Sequence, residues 1–198
     1  MEKIEIFKKS LQSVSPSEIA HAFLKLLHTE GHNHFEEAVT QYTHAVQSAY
    51  WAAQTGADSY LITAALLHDI GHLLHDETYQ DGTYHEADHL HETLAADLLA
   101  AYFPERVTAP IRNHVLAKRY LVSTEEDYFE RLSPASCDSF MLQGGKMRVS
   151  EIEAFEALPY FSESVLLRRW DDMSKDTHLE VPPAETYFKD ILASIQPS

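Results

Sequence analysis

A histidine and an aspartate stand side by side at the end of an apolar run, and this segment constrains the fold most. His68 and Asp69 follow the apolar residues 64–67, and His72 comes four residues after His68. Adjacent residues of an α-helix point about 100° apart, so a metal ion shared by this pair would have to lie over the helix between them. That geometry favours a carboxylate that bridges two metal ions. The alternative is a buried helix end with a hydrogen-bonded histidine.

Further histidines and one aspartate, placed before and after this pair, extend the pattern. Along the chain the order is His, His-Asp, His, His, Asp, which predicts a two-metal site. Imidazoles suit zinc, iron, nickel and copper, and carboxylates add a preference for harder ions such as iron and manganese. No cysteine stands near these positions, which argues against a structural zinc site. The candidate ligands are His44, His68, Asp69, His91, His114 and Asp171.

Cations are spaced one helical turn from two of these ligands. Lys118 lies four residues after His114, and Arg168 lies three residues before Asp171, so each pair shares a helix face. His72 lies four residues after His68, so these two side chains also share a helix face. A site that binds metals and an oxyanion together needs such groups, because arginine offers a planar fork and lysine a point charge. The alternative for either cation alone is a surface salt bridge.

Composition limits the classes of function. The formal net charge of −16 makes nucleic acid an unexpected partner. No apolar run approaches the length that spans a bilayer, and the start of the chain lacks the apolar core of a signal peptide, so we expect a cytoplasmic protein. A single cysteine, Cys137, excludes an intramolecular disulfide.

Helical signals recur along the chain and strand signals are scarce, so the sequence predicts an all-α fold in one domain, 1–198. One predicted helix runs from Glu37 to Thr55. The next, from Ser59 to His72, carries the His-Asp pair. Residues 75–86 have no clear period and are predicted to form a loop. A capping pattern at 123–126 predicts a helix to Leu132.

The ligand series resembles the HD-domain superfamily, whose basic members are metal-dependent phosphohydrolases. His91 and His114 mark the members that bind two metals. More specifically, the chain is similar to the PhnZ-type mixed-valence diiron oxygenases, which cleave the C–P bond of 1-hydroxyphosphonates. The resemblance runs from about 37 to 187, implies a helical bundle around a dinuclear site, and leaves 1–31 as extra N-terminal helices. The segments that carry it are 64–72, 114–123, 132–136, 143–145 and 168–171.

The resemblance implies a role for each candidate residue. One iron would be held by His44, His68, Asp69 and Asp171, and Asp69 would bridge to a second iron held by His91 and His114. The phosphonate group would be bound by His72, Lys118, Ser136, Ser139 and Arg168, with Gln143 nearby. The residues implied in catalysis are His34, Glu37, His72 and Lys118.

Two of these positions bear on the substrate. Glu37 matches a family glutamate near the amine end of the substrate, and a continuous helix would place it on the same face as His44. It favours an ammonium group, as in 2-amino-1-hydroxyethylphosphonate or its trimethylated relative. His34 stands where the family has a tyrosine that can occupy the open iron position until substrate arrives. The imidazole of His34 could occupy the open iron position in the same way. The change from tyrosine to histidine also leaves room for a smaller substrate, hydroxymethylphosphonate.

The implied activity is an oxygen-dependent cleavage that yields a carboxylate and phosphate, with two iron ions in the Fe(II)/Fe(III) state and O2 as co-substrate. The partner would be a small hydroxyphosphonate, and the sequence leaves the oligomeric state open. The alternative is a two-metal HD-domain phosphohydrolase that acts on a phosphoester through metal-bound hydroxide. A third possibility is a degenerate HD domain that senses a ligand.

Overall fold

The computed structural model describes residues 2–32, 38–74 and 91–197, and every regular element in these ranges is a helix. The expectation of an all-α fold is therefore confirmed. Two short 3₁₀ helices, Phe129–Arg131 and Ala184–Tyr187, lie between the α-helices of the C-terminal half. The α-helices of the described ranges are α1 (Glu2–Ser10), α2 (Pro16–Glu30), α3 (Gln41–Gln54), α4 (Ser59–Leu67), α5 (Ile70–Leu73), α6 (His91–Leu99), α7 (Glu105–Thr124), α8 (Pro134–Leu142), α9 (Val149–Glu156), α10 (Phe161–Met173) and α11 (Phe188–Ser194).

Helix α4 lies at the centre of the fold because almost all of its residues are apolar. Asp58 caps its N-terminal end, and the Asp58 side chain accepts a hydrogen bond from the Leu61 backbone N–H at 3.1 Å. From Ile62 to Leu67 every residue is buried, as expected of a helix that is apolar on all sides. Helices α3, α7, α10 and α11 pack around it. The C-terminal end of α4 therefore delivers the next residue, His68, into the core.

The chain departs from a continuous helix at the His-Asp pair, so the predicted helix from Ser59 to His72 is wrong. Asp69 has φ −101° and ψ 9°, outside the regular helical region. Gly71 lies directly against the backbone of His91, because a Cβ at this position would overlap the carbonyl group of His91. Because glycine has no side chain, α5 can approach the start of α6 at backbone distance. This brings Asp69 beside His91.

Two other predicted helix boundaries also differ from the structure. Helix α3 begins at Gln41, because the Thr40 side chain accepts from the Thr43 N–H and caps the helix. The predicted helical start at 37 is therefore wrong. Helix α7 continues through the predicted capping residue Ser123, whose hydroxyl donates to the Arg119 carbonyl instead. The predicted loop 75–86 lies outside the described residues.

The helices pack around one large apolar cluster and two smaller ones. The large cluster joins α1 and α2 to the helices that carry the predicted metal ligands, with Phe23, Leu66, Ile111 and Trp170 among its members. The smaller clusters lie where α7 meets α8 and α9. Helix α8 therefore packs against a smaller apolar cluster than α4 does. No helix of the described ranges is both long enough and apolar enough to cross a membrane.

Candidate metal centre and anion site

The six predicted metal ligands come from five separate parts of the fold and converge in its interior. Five of the six side chains are buried, and Asp69 is 16% exposed. Their convergence follows from the packing of α3, α7 and α10 around α4. His44 lies on α3, His68 and Asp69 between α4 and α5, His91 at the start of α6, His114 on α7 and Asp171 on α10.

The first group of ligands surrounds the Nε2 atom of His44. This atom lies 3.2 Å from His68 Nε2 and 3.4 Å from Asp171 Oδ1. It also lies 3.5 Å from Asp69 Oδ2. His44, His68 and Asp69 offer ligand atoms close enough together to hold one metal ion, and Asp171 adjoins this group through His44.

The second group shares Asp69 with the first. His91 Nε2 and His114 Nε2 lie 3.1 Å apart. Asp69 Oδ1 is 3.6 Å from His91 Nε2 and 3.8 Å from His114 Nε2. Asp69 Oδ2 faces His44, and Oδ1 also lies 3.4 Å from His68 Nε2, so the carboxylate lies between the two groups and contacts both. This arrangement fits the bridging role inferred from its neighbour His68.

The hydrogen bonds of three histidines test whether the centre suits a metal ion. The Nδ1 atoms of His44, His68 and His114 lie 2.9, 2.9 and 2.7 Å from the backbone carbonyls of Ser174, Ala65 and Ile111. A carbonyl only accepts, so each Nδ1 must carry the proton and each Nε2 presents a lone pair. Two such lone pairs face each other between His44 and His68, and a cation between them relieves that repulsion. The donor set therefore fits metal binding.

Burial and neighbouring charge set the protonation of these imidazoles. Burial lowers the pKa of His68 and holds the pKa of His114 well below its ordinary value. The pKa of His44 is raised, because the hydrogen bond and charge of Asp171, together with Asp69, outweigh burial. The carboxylates thus favour positive charge at His44 Nε2, which is the position that a metal ion would take.

The two carboxylates are held in their ionised form. Burial alone would raise the pKa of Asp69, but the surrounding histidines, His68 foremost, lower it. Burial would likewise raise the pKa of Asp171, but the charge of Arg168 holds it well below the usual range. Ionised carboxylates are the form that binds metal ions.

A second cluster of polar groups, the anion site, lies beside Asp171 and is built from α7, α8 and α10. We use this name for Lys118, Ser133, Ser136, Ser139, Arg168 and Lys175. Lys118 is 2% exposed, and its ammonium donates to Ser139 Oγ at 2.7 Å. The cation that the sequence placed one turn after His114 therefore lies inside the protein, rather than on the surface.

Arg168 joins the anion site to the metal centre. Its Nη1 lies 2.8 Å from Asp171 Oδ2, and the guanidinium also pairs with Asp172. Asp172 in turn accepts a hydrogen bond from the hydroxyl of Tyr128. Arg168 Nη2 is 3.4 Å from Ser136 Oγ. The metal ligand Asp171 and the serine on α8 are thus held by the same guanidinium.

The remaining predicted site residues occupy different places. The His72 ring stacks on the ring of His91, with centroids 4.1 Å apart, so it lies next to the second ligand group. Gln143 ends α8, and its backbone N–H donates to the Ser139 carbonyl at 2.9 Å. His34 and Glu37 lie outside the described residues, and their roles stay predictions.

Comparison with known proteins identifies the family of this chain. The HD domain family profile matches residues 41–154, which include five of the six ligands. The chain belongs to the HD-domain family. Its bundle of helices is the all-α architecture of that family.

Within this family the chain is similar to proteins of phosphonate metabolism. It is 43% identical over 199 residues to hydroxymethylphosphonate dioxygenase of Gimesia maris, a match covering 100% of this chain and 99% of the relative. It is 40% identical over 149 residues to [1-hydroxy-2-(trimethylamino)ethyl]phosphonate dioxygenase (glycine-betaine-forming) of Leisingera caerulea, covering 74% of each. An uncharacterized protein, L432, of Acanthamoeba polyphaga mimivirus is 36% identical over 160 residues, covering 79% of this chain and 72% of the relative.

The sequence analysis missed two members of this HD-domain site. Lys175 lies 2.8 Å from Ser136 Oγ and 4.0 Å from Asp171 Oδ1. It stands four residues after Asp171, the same spacing that drew attention to Lys118, and that spacing was a usable signal. Tyr128 offered no such signal, because its partner Asp172 lies 44 residues further along the chain.

Proposed function

We propose that this HD-domain protein is an oxygen-dependent enzyme that cleaves the C–P bond of a small 1-hydroxyphosphonate. The products are a carboxylate and phosphate, which together contain two more oxygen atoms than the substrate, so each turnover consumes one O2. Two of the three relatives named above are dioxygenases of hydroxyphosphonates. The observation that carries the proposal is a bridging carboxylate, Asp69, between two ligand groups, with a buried cluster of cations at one side.

We further propose that the two metal ions are iron, as an Fe(II)/Fe(III) pair. Imidazoles and carboxylates without thiolate suit an iron centre that activates oxygen. His44, His68, Asp69 and Asp171 would hold one ion, and Asp69, His91 and His114 the other. Bound there, iron would supply the electron transfers that oxidative cleavage needs.

The protein's own residues bind and orient the substrate. A phosphonate group carries negative charge and several acceptor oxygens, which suits a pocket of ammonium, guanidinium and hydroxyl donors. Lys118, Ser136 and Arg168 provide these donors beside Asp171. Such a pocket fixes the phosphonate end, so the adjoining carbon and its hydroxyl are held near the metal centre. Fixing the reacting carbon in this way lowers the entropic cost of reaction.

We propose hydroxymethylphosphonate as the substrate to test first. The Gimesia maris protein of that name aligns with this chain from end to end. The Leisingera caerulea protein, whose named substrate carries a trimethylammonium group, aligns over a shorter range. Glu37 is the residue that predicts an ammonium-bearing substrate instead, and a substrate panel decides between them.

The test is phosphate release by iron-loaded protein, with and without O2. The panel contains hydroxymethylphosphonate, 2-amino-1-hydroxyethylphosphonate, its trimethylated relative and a phosphomonoester such as p-nitrophenyl phosphate. We expect phosphate from a hydroxyphosphonate only when O2 is present, with one O2 consumed for each phosphate formed.

Other outcomes would replace the proposal. Release from the phosphomonoester without O2 would make this a phosphohydrolase. We expect the protein to lose oxygenase activity when its iron is replaced by zinc or manganese. Full activity with zinc would refute the assignment of iron. An electron paramagnetic resonance signal from the half-reduced protein tests the Fe(II)/Fe(III) pair.

We also propose that 1–198 acts as a single domain. Ile4 and Leu11 of the N-terminal segment belong to the same apolar cluster as Trp170 and Ile191 near the other end. Removal of residues 1–31 is therefore expected to destabilise the whole protein, as seen by a lower midpoint of thermal unfolding.

A further inference from the structure

Lys175 is the cation of the anion site to which the proposed function assigns no role. It follows α10, which ends at Met173. Its side chain is 14% exposed, and Nζ lies 2.8 Å from Ser136 Oγ and 3.2 Å from Ser133 Oγ. An ammonium is only a donor, so both serine oxygens accept from Lys175. The three residues form a compact group at the N-terminal end of α8.

Several hydrogen bonds from α3 fix the segment that carries Lys175. His44 Nδ1 lies 2.9 Å from the carbonyl of Ser174, the residue just before the lysine. On the other side, the Gln47 side chain donates to the Asp176 carbonyl at 2.6 Å and accepts from the Asp176 N–H at 3.2 Å. The backbone is thus held on both sides of Lys175 by the helix that supplies a metal ligand.

The three cations of the anion site differ in the groups that they contact. The guanidinium of Arg168 pairs with two carboxylates, Asp171 and Asp172, which together more than neutralise its charge. Lys175, by contrast, lies 4.0 Å from Asp171 Oδ1, at the outer limit of an ion pair. Lys118 meets a hydroxyl, that of Ser139. Both lysines therefore donate to serines of the anion site, whereas Arg168 pairs mainly with carboxylates.

The two serines of α8 differ in what their hydroxyl protons can do. Ser139 Oγ accepts from Lys118 and donates its own proton to the Ser136 carbonyl at 3.3 Å. Ser136 Oγ has as its described partners Lys175 and Arg168, and both are donors. The Ser136 proton must therefore be directed to another acceptor. Polarisation by two cations makes this hydroxyl a stronger donor.

We propose that Lys175 is a positioning residue for the anionic end of the substrate, because its ammonium holds Ser136 Oγ as an acceptor and turns the Ser136 hydroxyl proton toward a substrate oxygen. This inference rests on the proposed function, in which the anion is a phosphonate. It assigns different roles to the two serines: Ser136 donates to the anion, and Ser139 holds Lys118.

The experiment compares Lys175→Met, Ser136→Ala and the double variant with the unaltered iron-loaded protein. We measure KM and kcat for hydroxymethylphosphonate, and Kd for inorganic phosphate by titration calorimetry. Loss of a hydrogen bond to a charged partner corresponds to a change of about 10- to 100-fold. We expect Lys175→Met to raise KM and the phosphate Kd by about that factor, while kcat changes by less than about threefold.

The double variant tests whether Lys175 acts through Ser136. If it does, the double variant binds phosphate no more weakly than the weaker of the two single variants. Lys175→Arg keeps a donor and is expected to recover part of the affinity. Lys146→Met, which removes an exposed lysine, is the matched control and is expected to leave KM unchanged.

Three results would overturn the inference. The first is an unchanged phosphate Kd in Lys175→Met accompanied by loss of iron, which would limit Lys175 to supporting Asp171. The second is a double variant in which the two effects multiply. The third is unaltered protein that binds no inorganic phosphate. If phosphate binding responds as expected but no hydroxyphosphonate is consumed, the role of Lys175 stands and the proposed reaction fails.

Discussion

The metal centre and the anion site lie side by side, but different kinds of contact hold them in place. At the metal centre, three of the four histidines are oriented by backbone carbonyls, such as that of Ile111 for His114. In the anion site, the contacts run from side chain to side chain, as from Lys118 to Ser139 and from Arg168 to Asp172. A point substitution cannot delete a carbonyl, but it can delete a serine or an aspartate. The orientation of the ligands should therefore survive most substitutions of their neighbours, whereas anion binding should change with them.

The largest effect is expected from the residue that both ligand groups share. Asp69→Ala removes the oxygens that face His44 on one side and His91 on the other. We expect both metal ions to be lost and turnover to fall at least about a thousandfold, since the chemistry depends on the metals. Metal content per chain by mass spectrometry checks this.

The control for this change is Asp97→Ala, because Asp97 pairs with Arg112 at the surface. It should keep its full metal content. Retention of two metal ions by Asp69→Ala would refute the bridging assignment.

The next largest effect is expected where the two regions meet. Arg168→Met leaves Asp171 and Asp172 without their shared cation, and both carboxylates are mostly buried. Removing one partner of a buried ion pair typically costs about 3–5 kcal/mol. We expect a loss of this size in the free energy of unfolding, measured with urea.

The neighbouring arginine provides a matched control. Arg169 pairs with Glu125, and its side chain is 42% exposed. Arg169→Met is therefore expected to cost less than about 1 kcal/mol. Equal losses for the two variants would contradict the distinction between a buried junction and a surface pair.

A smaller effect is expected from the tyrosine behind this junction. Burial, with the charge of Asp172, raises the pKa of Tyr128, so its hydroxyl stays protonated and donates to that carboxylate. Tyr128→Phe should cost about 1–2 kcal/mol of stability. It should also weaken phosphate binding, because Asp172 helps to hold Arg168.

Tyr120→Phe is the comparison for this hydroxyl, since Tyr120 donates to Glu156 at an exposed position. It is expected to leave phosphate binding unchanged. A larger effect at position 120 than at 128 would argue against the network.

The smallest effect is expected at Glu151, whose carboxylate pairs with Arg119 and Arg148 outside both regions. Hydrogen bonds from the Arg148 backbone and side chain, and from Arg119, lower the pKa of Glu151 to about 2. A carboxylate whose pKa falls on folding stabilises the protein above its ordinary pKa of 4.5, and this contribution is lost as the pH falls toward 2.

Unfolding of the unaltered protein and of Glu151→Gln, followed from pH 6 to pH 2, measures this contribution. Above about pH 5, we expect the unaltered protein to be slightly more stable than Glu151→Gln. This difference in the free energy of unfolding should disappear as the pH approaches about 2. A difference that stays constant over the whole range would contradict the lowered pKa.

The candidate metal centre was open to prediction because its residue types are unusual in a core. Histidines and an aspartate at helix-compatible spacings can be recognised without knowing how the helices pack. Lys175 was not predicted, although it stands one turn beyond Asp171. Its position depends on hydrogen bonds from His44 and Gln47 to the segment after α10, and those residues lie more than a hundred positions earlier.

The break between α4 and α5 was missed for a related reason. Residues 59–72 read as one helix, because nothing in that stretch other than Gly71 opposes a continuous turn. Gly71 matters only through its contact with the His91 backbone, which belongs to another helix.

The sequence by itself predicted the helical class, the family and the candidate metal ligands, since residue types and their order along the chain can be recognised without the tertiary structure. The tertiary structure alone decided how Asp69 is shared between the two ligand groups and which cations contact Ser136 and Ser139. Those features depend on distances between side chains far apart in the chain, and only the packing of α3, α7, α8 and α10 sets them.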